Sequence, residues 1–396
     1  MTNIRTTHVG SLPRPAGLLE DNARHARGEL SDAQFAQKLD AYIAEVVKKQ
    51  HDIGLDIIND GEYGHIMTEA VDYGAWWWYS FQRLGGLEFT DTDLHAGETT
   101  GGGAVELTSF DNRRDWQKFR DAYTDPDSGI HQAKRQEVKM PTITSELTYI
   151  GHEQTKRDID LTLKALRANG LDAKDGFIAA LAPASASRLT NNFYETDDDI
   201  LFAAAKALRE EYKLITDAGL TVQLDDPALC EAWDQVNPEP PLDKYREWVE
   251  RRIEAINFAI EGIDPSLVRL HVCWGSWHGP HTTDIPFKDI VDIVLKVKAQ
   301  GITFEAANAR HAHEWAIWKD VKLPEDKVLI PGVVSHSTNV VEHPELVAQR
   351  ITNFTDLVGR DRVIASTDCG LGGRIYPSIA WAKLEALAEG TRIVNK

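Results

Sequence analysis

The strongest constraint on the fold is a repeated pattern, in which a short β-rich apolar run is followed by a helical stretch that ends at a glycine. Strands that alternate with helices predict a parallel sheet with helical crossovers. The repeated order of helix, glycine and strand is typical of a (β/α)8 TIM barrel. Nine runs qualify as strands, one more than such a barrel holds, and the sequence does not say which lies outside. The runs are Ile4–Val9, Asp56–Asn59, Lys139–Thr144, Phe177–Ala182, Thr221–Asp225, Val268–Cys273, Ile302–Glu305, Leu329–Val334 and Val363–Thr367.

Helices are predicted from apolar periodicity, polar N-cap residues and C-terminal glycines. The helix Ser31–Ile53 begins at the N-cap Ser31 and ends near Gly54. No low-complexity linker divides the chain, so we expect residues 1–396 to form a single barrel domain. Four further helices that end close to a glycine are Asp198–Ala218, Asp243–Ile260, Phe287–Ala299 and Pro344–Leu357.

One segment, residues 66–138, interrupts the pattern after the second predicted strand. It contains Trp76–Trp78, the glycine-rich stretch Gly97–Gly103 and further charged and aromatic residues up to Tyr123. Long insertions within a compact domain are usually functional lids or small subdomains. We interpret this one as a lid over the site, as a packed surface excursion or as an oligomer contact, and in the last case the chain is a homo-oligomer.

Composition excludes several classes of partner. Lys and Arg number 43 against 62 Asp and Glu, a formal charge of −19, which argues against nucleic acid or an anionic membrane surface. No run of about 18 apolar residues is present to cross a membrane. Three cysteines in 396 residues are no disulfide framework, and Met1–Pro15 lacks the apolar core of a signal peptide, so we expect a cytoplasmic protein.

Polar residues cluster after the predicted strands, where a barrel places its active site. His271-Val272-Cys273 puts two potential ligands on one face of a strand, because alternate side chains point the same way. Glu305 and Cys369 follow neighbouring strands and can reach the same point. An imidazole, two thiolates and a carboxylate suit Zn²⁺, and a catalytic site keeps one position exchangeable. The alternative is that these cysteines are inert core residues, as we expect for Cys230.

Other strand-end groups extend the candidate site. His336 is suited to proton transfer near neutral pH, or else is a structural histidine bonded to loop carbonyls. Carboxylates at Glu62, Asp225 and Asp226 can hold a substrate ammonium, and backbone N–H groups near Ser11 can hold a carboxylate. The alternative for Asp226 is that it caps the following helix. Of the other histidines near these strand ends, His311 and His313 are expected to be solvated or hydrogen-bonded rather than metal ligands. His278, which is followed by His281, can bind substrate or donate a hydrogen bond to the site.

The ordered set of motifs resembles the catalytic C-terminal barrel of cobalamin-independent methionine synthase. That resemblance implies a (β/α)8 fold, a catalytic zinc and transfer of a methyl group to the thiol of homocysteine. It further implies that His271, Cys273, Glu305 and Cys369 bind the zinc, that Ser11, Glu62 and Asp225 contact homocysteine, and that His336 transfers the proton. The motifs are Thr7–Pro13, Asp60-Gly61-Glu62, Leu224–Leu229, His271-Val272-Cys273, Ile302–Glu305, Pro331–Val333 with His336-Ser337, and Asp368–Leu371.

The departures from that family concern the methyl donor. The family's Trp after the fourth strand, which stacks on the folate, has no counterpart in Leu181–Ser187, and Ser145–Leu147 matches the acidic folate contact only loosely. The chain also resembles short relatives such as epoxyalkane:coenzyme M transferase. They imply an alternative, zinc-dependent alkylation of another thiol by an epoxide or a non-folate methyl donor. Two further alternatives rank below both. A zinc-binding barrel without catalysis leaves His336 without a role. A metal-free decarboxylase of the uroporphyrinogen type leaves both strand-end cysteines without a role.

Overall fold

The structure is a computed structural model that describes residues 2–65, 75–90, 105–130 and 140–396. Gly97–Gly103, in the predicted insertion, lies outside the described residues. The strands are β1 (Arg5–Thr6), β2 (Leu84–Thr90), β3 (Met140–Tyr149), β4 (Phe177–Leu181), β5 (Thr190–Asn191), β6 (Thr221–Asp225), β7 (Val268–Val272), β8 (Gly301–Phe304), β9 (Val328–Val334) and β10 (Ile364–Thr367).

Four of the predicted helices are confirmed to within one residue at each end, and their ends follow from local chemistry. The second helix begins with a capping box between Ser31 and Gln34 and ends at Gly54, whose φ of 94° is left-handed. None of the helices in the described ranges has the length and apolar character that crossing a membrane requires. The helices are α1 (Ala16–Ala26), α2 (Asp32–Ile53), α3 (Ala75–Gln82), α4 (Arg114–Lys118), α5 (Arg120–Thr124), α6 (His152–Ala168), α7 (Pro183–Ala186), α8 (Asp197–Asp217), α9 (Ala228–Gln235), α10 (Leu242–Ala259), α11 (Val291–Val294), α12 (Pro344–Val358) and α13 (Pro377–Asn395).

The prediction of a helix over Phe287–Ala299 is wrong. This stretch holds only a 3-10 turn at Phe287–Asp289 and the four-residue α11, followed by turns up to β8. It is rich in β-branched residues, which lose side-chain freedom in a helix. Its apolar side chains are nevertheless buried, except for the half-buried Leu295, so the stretch meets the apolar requirement of a crossover without forming a long helix.

Seven strands form one parallel sheet in the order β1-β10-β9-β8-β7-β6-β4. This confirms an α/β fold with a curled parallel sheet. All five side chains of β7 are buried, as expected for a strand covered on both faces. Asp225 pairs in register with His271, and His271 with Thr303, so the carboxyl ends of neighbouring strands meet at one edge of the sheet.

The second predicted strand, Asp56–Asn59, forms an isolated bridge rather than a full strand. Ile58 bridges Gly176 in parallel orientation, and Phe177 N donates to Ile58 O at 3.0 Å. On the other side, Ile57 N donates to Thr6 O at 2.9 Å. This segment therefore contacts β1 and β4, which are the two outermost strands of the seven-stranded sheet.

The candidate strand that lies outside the parallel sheet is Lys139–Thr144. Apart from Lys139, which is not described, it belongs to β3, and β3 pairs antiparallel with β2 and parallel with β5 in a separate three-stranded sheet. Buried ion pairs from Arg83 to Asp158 (2.6 Å) and to Glu211 (2.9 Å) join the segment before β2 to α6 and α8. The small sheet is thereby fixed to the helices around the large one.

Candidate metal and substrate site

The carboxyl ends of five neighbouring strands carry most of the side chains singled out by the sequence. Because these strands are parallel and in register, residues far apart in sequence come together at one edge of the sheet. They are Asp225 on β6, His271 and Cys273 on and after β7, Glu305 after β8, His336 after β9 and Cys369 after β10.

His271, Cys273 and Cys369 form a compact group that can hold a metal ion. Each offers one ligand atom, and the three atoms lie within 4.8 Å of one another. Neither ring nitrogen of the buried His271 has a hydrogen-bond partner among the described residues, so a nitrogen lone pair is available to a metal. One imidazole and two sulfurs are a donor set that zinc prefers.

The two sulfurs differ in acidity. The adjacent Cys273 thiol, followed by His271 and His336, lowers the pKa of the Cys369 thiol well below its usual value. The Cys369 sulfur and burial together raise the pKa of Cys273. The pair therefore favours one thiolate that is stabilised by the other thiol, and metal ligation requires the thiolate form.

Glu305 belongs to an adjoining group, in which its ligand atom lies within 4.8 Å of those of His336 and Asp368. Trp274 N donates to Glu305 Oε1 at 3.0 Å, and Asn308 Nδ2 donates to Oε2 at 2.5 Å. Burial, with the nearby Asp368 adding to it, raises the pKa of Glu305 to about 8. Each carboxylate oxygen keeps a further lone pair, so the group can still serve as a metal ligand.

Asp368 is a residue to which the sequence analysis assigned no role. Its carboxylate accepts hydrogen bonds of 2.7–2.8 Å from the main-chain N–H groups of residues 306–308. These bonds fasten the turn after Glu305 to the strand end that carries Cys369. The signal in the sequence was a carboxylate next to a candidate ligand, but its partners lie about 60 residues away.

His336 is buried beside the metal group. Burial lowers its pKa to about 4, and Nδ1 has no hydrogen-bond partner within the described part of the chain. The side chain of His278 makes a hydrogen bond to the main chain of His336, which sets the position of this loop. The imidazole is therefore held against the metal group without being tied to a loop carbonyl through Nδ1.

Glu62 and Asp225 bring two carboxylates towards the same space. Burial, and then the charge of Asp225, raises the pKa of Glu62 well above its usual value, while burial raises the pKa of Asp225 to about 6. Glu62 has a left-handed φ of 60°, and its carboxylate passes over Gly10, where a Cβ would lie 2.1 Å from Oε1. Ser11 follows Gly10 and is only partly buried. Both carboxylates interact electrostatically with Cys369, and Ser11 lies against Gly370, so these residues are near the metal group.

Asp226 does not share this arrangement. Ser185 Oγ donates to Asp226 Oδ1 at 2.8 Å, and Ala228 N, at the start of α9, donates to Ser185 Oγ at 3.3 Å. Burial raises its pKa to about 7. Asp226 is therefore linked to the start of α9 through the Ser185 hydroxyl, which favours a role at the helix start over substrate binding.

His311 is buried rather than solvated. Its Nε2 lies 3.0 Å from Asp284 Oδ2, and its ring stacks on Trp274 at 3.9 Å. Burial lowers the pKa of His311, but hydrogen bonds to Asp284 and Glu314 outweigh it and raise the pKa to about 10. His313 is exposed, as expected.

The described end of the predicted insertion contacts the loop that follows Cys273. Asp115 Oδ1 accepts from Thr282 N at 2.8 Å, and Asp115 Oδ2 accepts from His281 N at 3.2 Å. Tyr123 OH accepts from Trp277 Nε1 at 2.8 Å. Residues 105–124 therefore hold the loop between β7 and α11 from outside.

Comparison with known proteins relates these features to a described family. A sequence model of the cobalamin-independent synthase catalytic domain matches residues 4–74 and 175–389. Every residue proposed for the site lies within those matched ranges, whereas β2, α4 and α5 lie between them.

Individual relatives cover nearly the whole chain. The methionine synthase of Saccharolobus solfataricus is 24% identical over 401 residues, covering 99% of this chain and 95% of the relative. That of Sulfolobus acidocaldarius is 23% identical, covering 100% and 94%. The solved structure of a B12-independent methionine synthase from Shewanella sp. W3-18-1, in complex with selenomethionine, matches with a TM-score of 0.67 at 18% identity, covering 100% of this chain and 98% of that one. This last likeness is one of fold.

Proposed function

This chain belongs to the cobalamin-independent synthase family, and from that premise we propose that it transfers a methyl group to the thiol of homocysteine, giving methionine. The observation that carries the proposal is the convergence of His271, Cys273 and Cys369, whose ligand atoms lie within 4.8 Å of one another. A buried imidazole without a hydrogen-bond partner costs free energy, and a metal ion at this point would supply the partner.

We assign Zn²⁺ to His271, Cys273 and Cys369, with Glu305 as the fourth, exchangeable ligand. The unpartnered ring nitrogens of His271 and the depressed pKa of Cys369 fit a cation at this point. A zinc-bound thiol is deprotonated at neutral pH, whereas a free thiol with a pKa near 8.5 is mostly protonated, and only the thiolate is a good nucleophile.

Ser11, Glu62 and Asp225 are proposed to bind the amino-acid end of homocysteine. Two buried carboxylates whose pKa values are raised favour a ligand that brings a positive charge, as the substrate ammonium does. We assign to the Ser11 hydroxyl a hydrogen bond to the substrate carboxylate. We assign to His336 the relay of the proton that the thiol loses to the atom that releases the methyl group. Its lowered pKa leaves the imidazole neutral and able to accept that proton, and its Nδ1 is not engaged by any of the described residues.

The geometry also supports a closed (β/α)8 barrel over residues 1–396, with 66–138 as an insertion. Asp56–Asn59 makes hydrogen bonds to β1 on one side and to the start of β4 on the other, as the eighth strand of a closed barrel would. The insertion is proposed to cover the site, because residues 105–124 contact the loop after Cys273.

Zinc content together with activity tests the proposal. We expect about one zinc per chain, and loss of both zinc and methionine formation in Cys273→Ser and in Cys369→Ser. Cys230→Ser is the matched control, since Cys230 is buried on α9 outside the metal group. Methionine formation at an undiminished rate in zinc-free protein would contradict the proposal.

A panel of substrates separates the alternative function. Homocysteine and coenzyme M are each assayed with methyl-folates, other methyl donors and an epoxide. Alkylation of coenzyme M with no methylation of homocysteine would favour the alternative thiol alkyltransferase.

A further inference from the structure

Arg14 connects two of the three proposed homocysteine contacts. It is a buried residue, 6% exposed, at the end of the segment that follows β1. Its Nη1 donates to Ser11 Oγ at 3.1 Å, and its Nη2 donates to the main-chain oxygen of Glu62 at 2.8 Å. One planar guanidinium therefore joins the loop after β1 to the loop that carries Glu62.

At Ser11 the hydrogen bond decides what the hydroxyl can do. Because Ser11 Oγ accepts from Arg14, its own proton is left to donate to another oxygen, and no acceptor for it is found among the described residues. The main-chain oxygen of Ser11 accepts from Leu371 N (3.0 Å) and Gly372 N (2.9 Å), in the loop just after Cys369. The hydroxyl is thus both oriented and placed beside the metal group, where a substrate carboxylate would need a donor.

At Glu62 the hydrogen bond supports an unusual backbone conformation. A φ of 60° is disfavoured for a non-glycine residue, and the bond from Arg14 to the Glu62 carbonyl helps to hold it. The charge of Arg14 also lowers the pKa of Glu62 against the effect of burial. Together these effects keep the carboxylate over Gly10 and pointed at the proposed ammonium position.

We infer that Arg14 is a positioning residue that sets the spacing between the carboxylate and ammonium subsites for the acceptor amino acid. The inference rests on the proposed function, because it assumes that Ser11 and Glu62 bind the two ends of homocysteine. Lysine cannot replace it, since an ammonium lacks the rigid fork that reaches both loops at once.

Binding to zinc-loaded protein tests the inference without requiring turnover. Calorimetric titrations use homocysteine, 4-mercaptobutyrate, which lacks the amine, and 3-mercaptopropylamine, which lacks the carboxylate. For Arg14→Lys we expect homocysteine affinity to fall by about 10- to 100-fold, the value of one or two well-placed hydrogen bonds. The affinity for each analogue should fall less, because each analogue uses only one of the two subsites. The preference for homocysteine over the analogues therefore becomes smaller, while the zinc content stays the same. Arg24→Lys, on the surface of α1, is the matched control and should bind all three thiols as the wild type does.

A double-mutant cycle keeps the test decisive if Arg14→Lys is poorly folded. Arg14→Gln retains an amide N–H donor and is combined with Ser11→Ala. The inference expects the Arg14 substitution to cost clearly less in the Ser11→Ala background than in the wild type, because part of its effect acts through the hydroxyl. Additive costs, or an equal loss of affinity for all three thiols, would overturn the inference and leave Arg14 a general structural residue. Failure of the wild type itself to bind homocysteine would instead overturn the proposed function, and the inference with it.

Discussion

Replacing Gly10 with alanine tests whether the Glu62 carboxylate is held where a substrate ammonium needs it. Gly10 has a φ of 93°, and a Cβ at this position would lie 2.1 Å from Glu62 Oε1. Since non-bonded heavy atoms pack at about 3.5 Å, one of the two groups must move by roughly 1.4 Å. Both Glu62 and Gly10 are buried, so neither can move without disturbing its neighbours.

A matched control separates the two parts of the loss in free energy of unfolding that Gly10→Ala causes. Gly28 is also left-handed, with a φ of 73°, but a Cβ there meets nothing within 4 Å. Gly28→Ala therefore carries only the conformational cost, about 1–2 kcal/mol. Gly10→Ala adds the cost of an overpacked site, about 1–3 kcal/mol, for a total of about 2–5 kcal/mol.

Urea unfolding of both variants measures these free energies, and titration of zinc-loaded protein with homocysteine measures the effect on the site. For Gly10→Ala we expect at least about tenfold weaker homocysteine binding, the loss of one charged hydrogen bond. Gly28→Ala should bind homocysteine as the wild type does, and both should retain zinc. Equal destabilisation of the two variants, or unchanged homocysteine affinity in Gly10→Ala, would refute this account of the Glu62 position.

Two further predictions concern stability and the insertion. Burial lowers the pKa of His8 from 6.5 to about 3, so between these values the unfolded chain binds a proton that the folded chain does not. The contribution of the neutral His8 to the free energy of unfolding is therefore complete above pH 6.5 and is lost as the pH falls towards 3. At pH 5 the loss is about 2 kcal/mol. In urea unfolding, the free energy of unfolding should fall less between pH 7 and pH 5 in His8→Asn than in the wild type. An identical fall in both proteins would contradict the prediction. Asp115→Asn should accelerate hydrogen exchange at the amides of His281 and Thr282 by about tenfold, because it weakens the acceptor of both bonds. The control Asp121→Asn, at an exposed position, should leave this exchange unchanged. Unchanged exchange in Asp115→Asn would mean that the insertion does not hold this loop.

Local chemistry alone determined the helix ends and the pairing of two candidate ligands. Ser31 and Gly54 bound α2 because an N-cap hydroxyl and a left-handed glycine act on backbone groups within one helical turn. His271 and Cys273 share a face because alternation with a period of two holds in any strand. The same rules could not reject a helix over Phe287–Ala299, since buried apolar spacing alone does not distinguish a long helix from a packed irregular crossover.

Only the tertiary structure decided which strands pair. Lys139–Thr144 and Asp56–Asn59 were equally acceptable candidates, yet the first lies in an antiparallel pair outside the main sheet and the second contacts both of its outermost strands. A β-rich pattern describes a segment that fits a pleated surface and carries no information about its partner.

Contacts across long sequence separations likewise decided the finer structure of the site. Arg14 meets the Glu62 loop 48 residues away, Asp115 meets Thr282 across 167 residues, and Asp368 fastens the turn after Glu305. The local sequence around Arg14 and Asp115 does not distinguish them from ordinary surface charges, and the position of Asp368 beside Cys369 did not identify its partners. Their roles arise only when folding removes them from water, because a buried charge must find its partners within the structure.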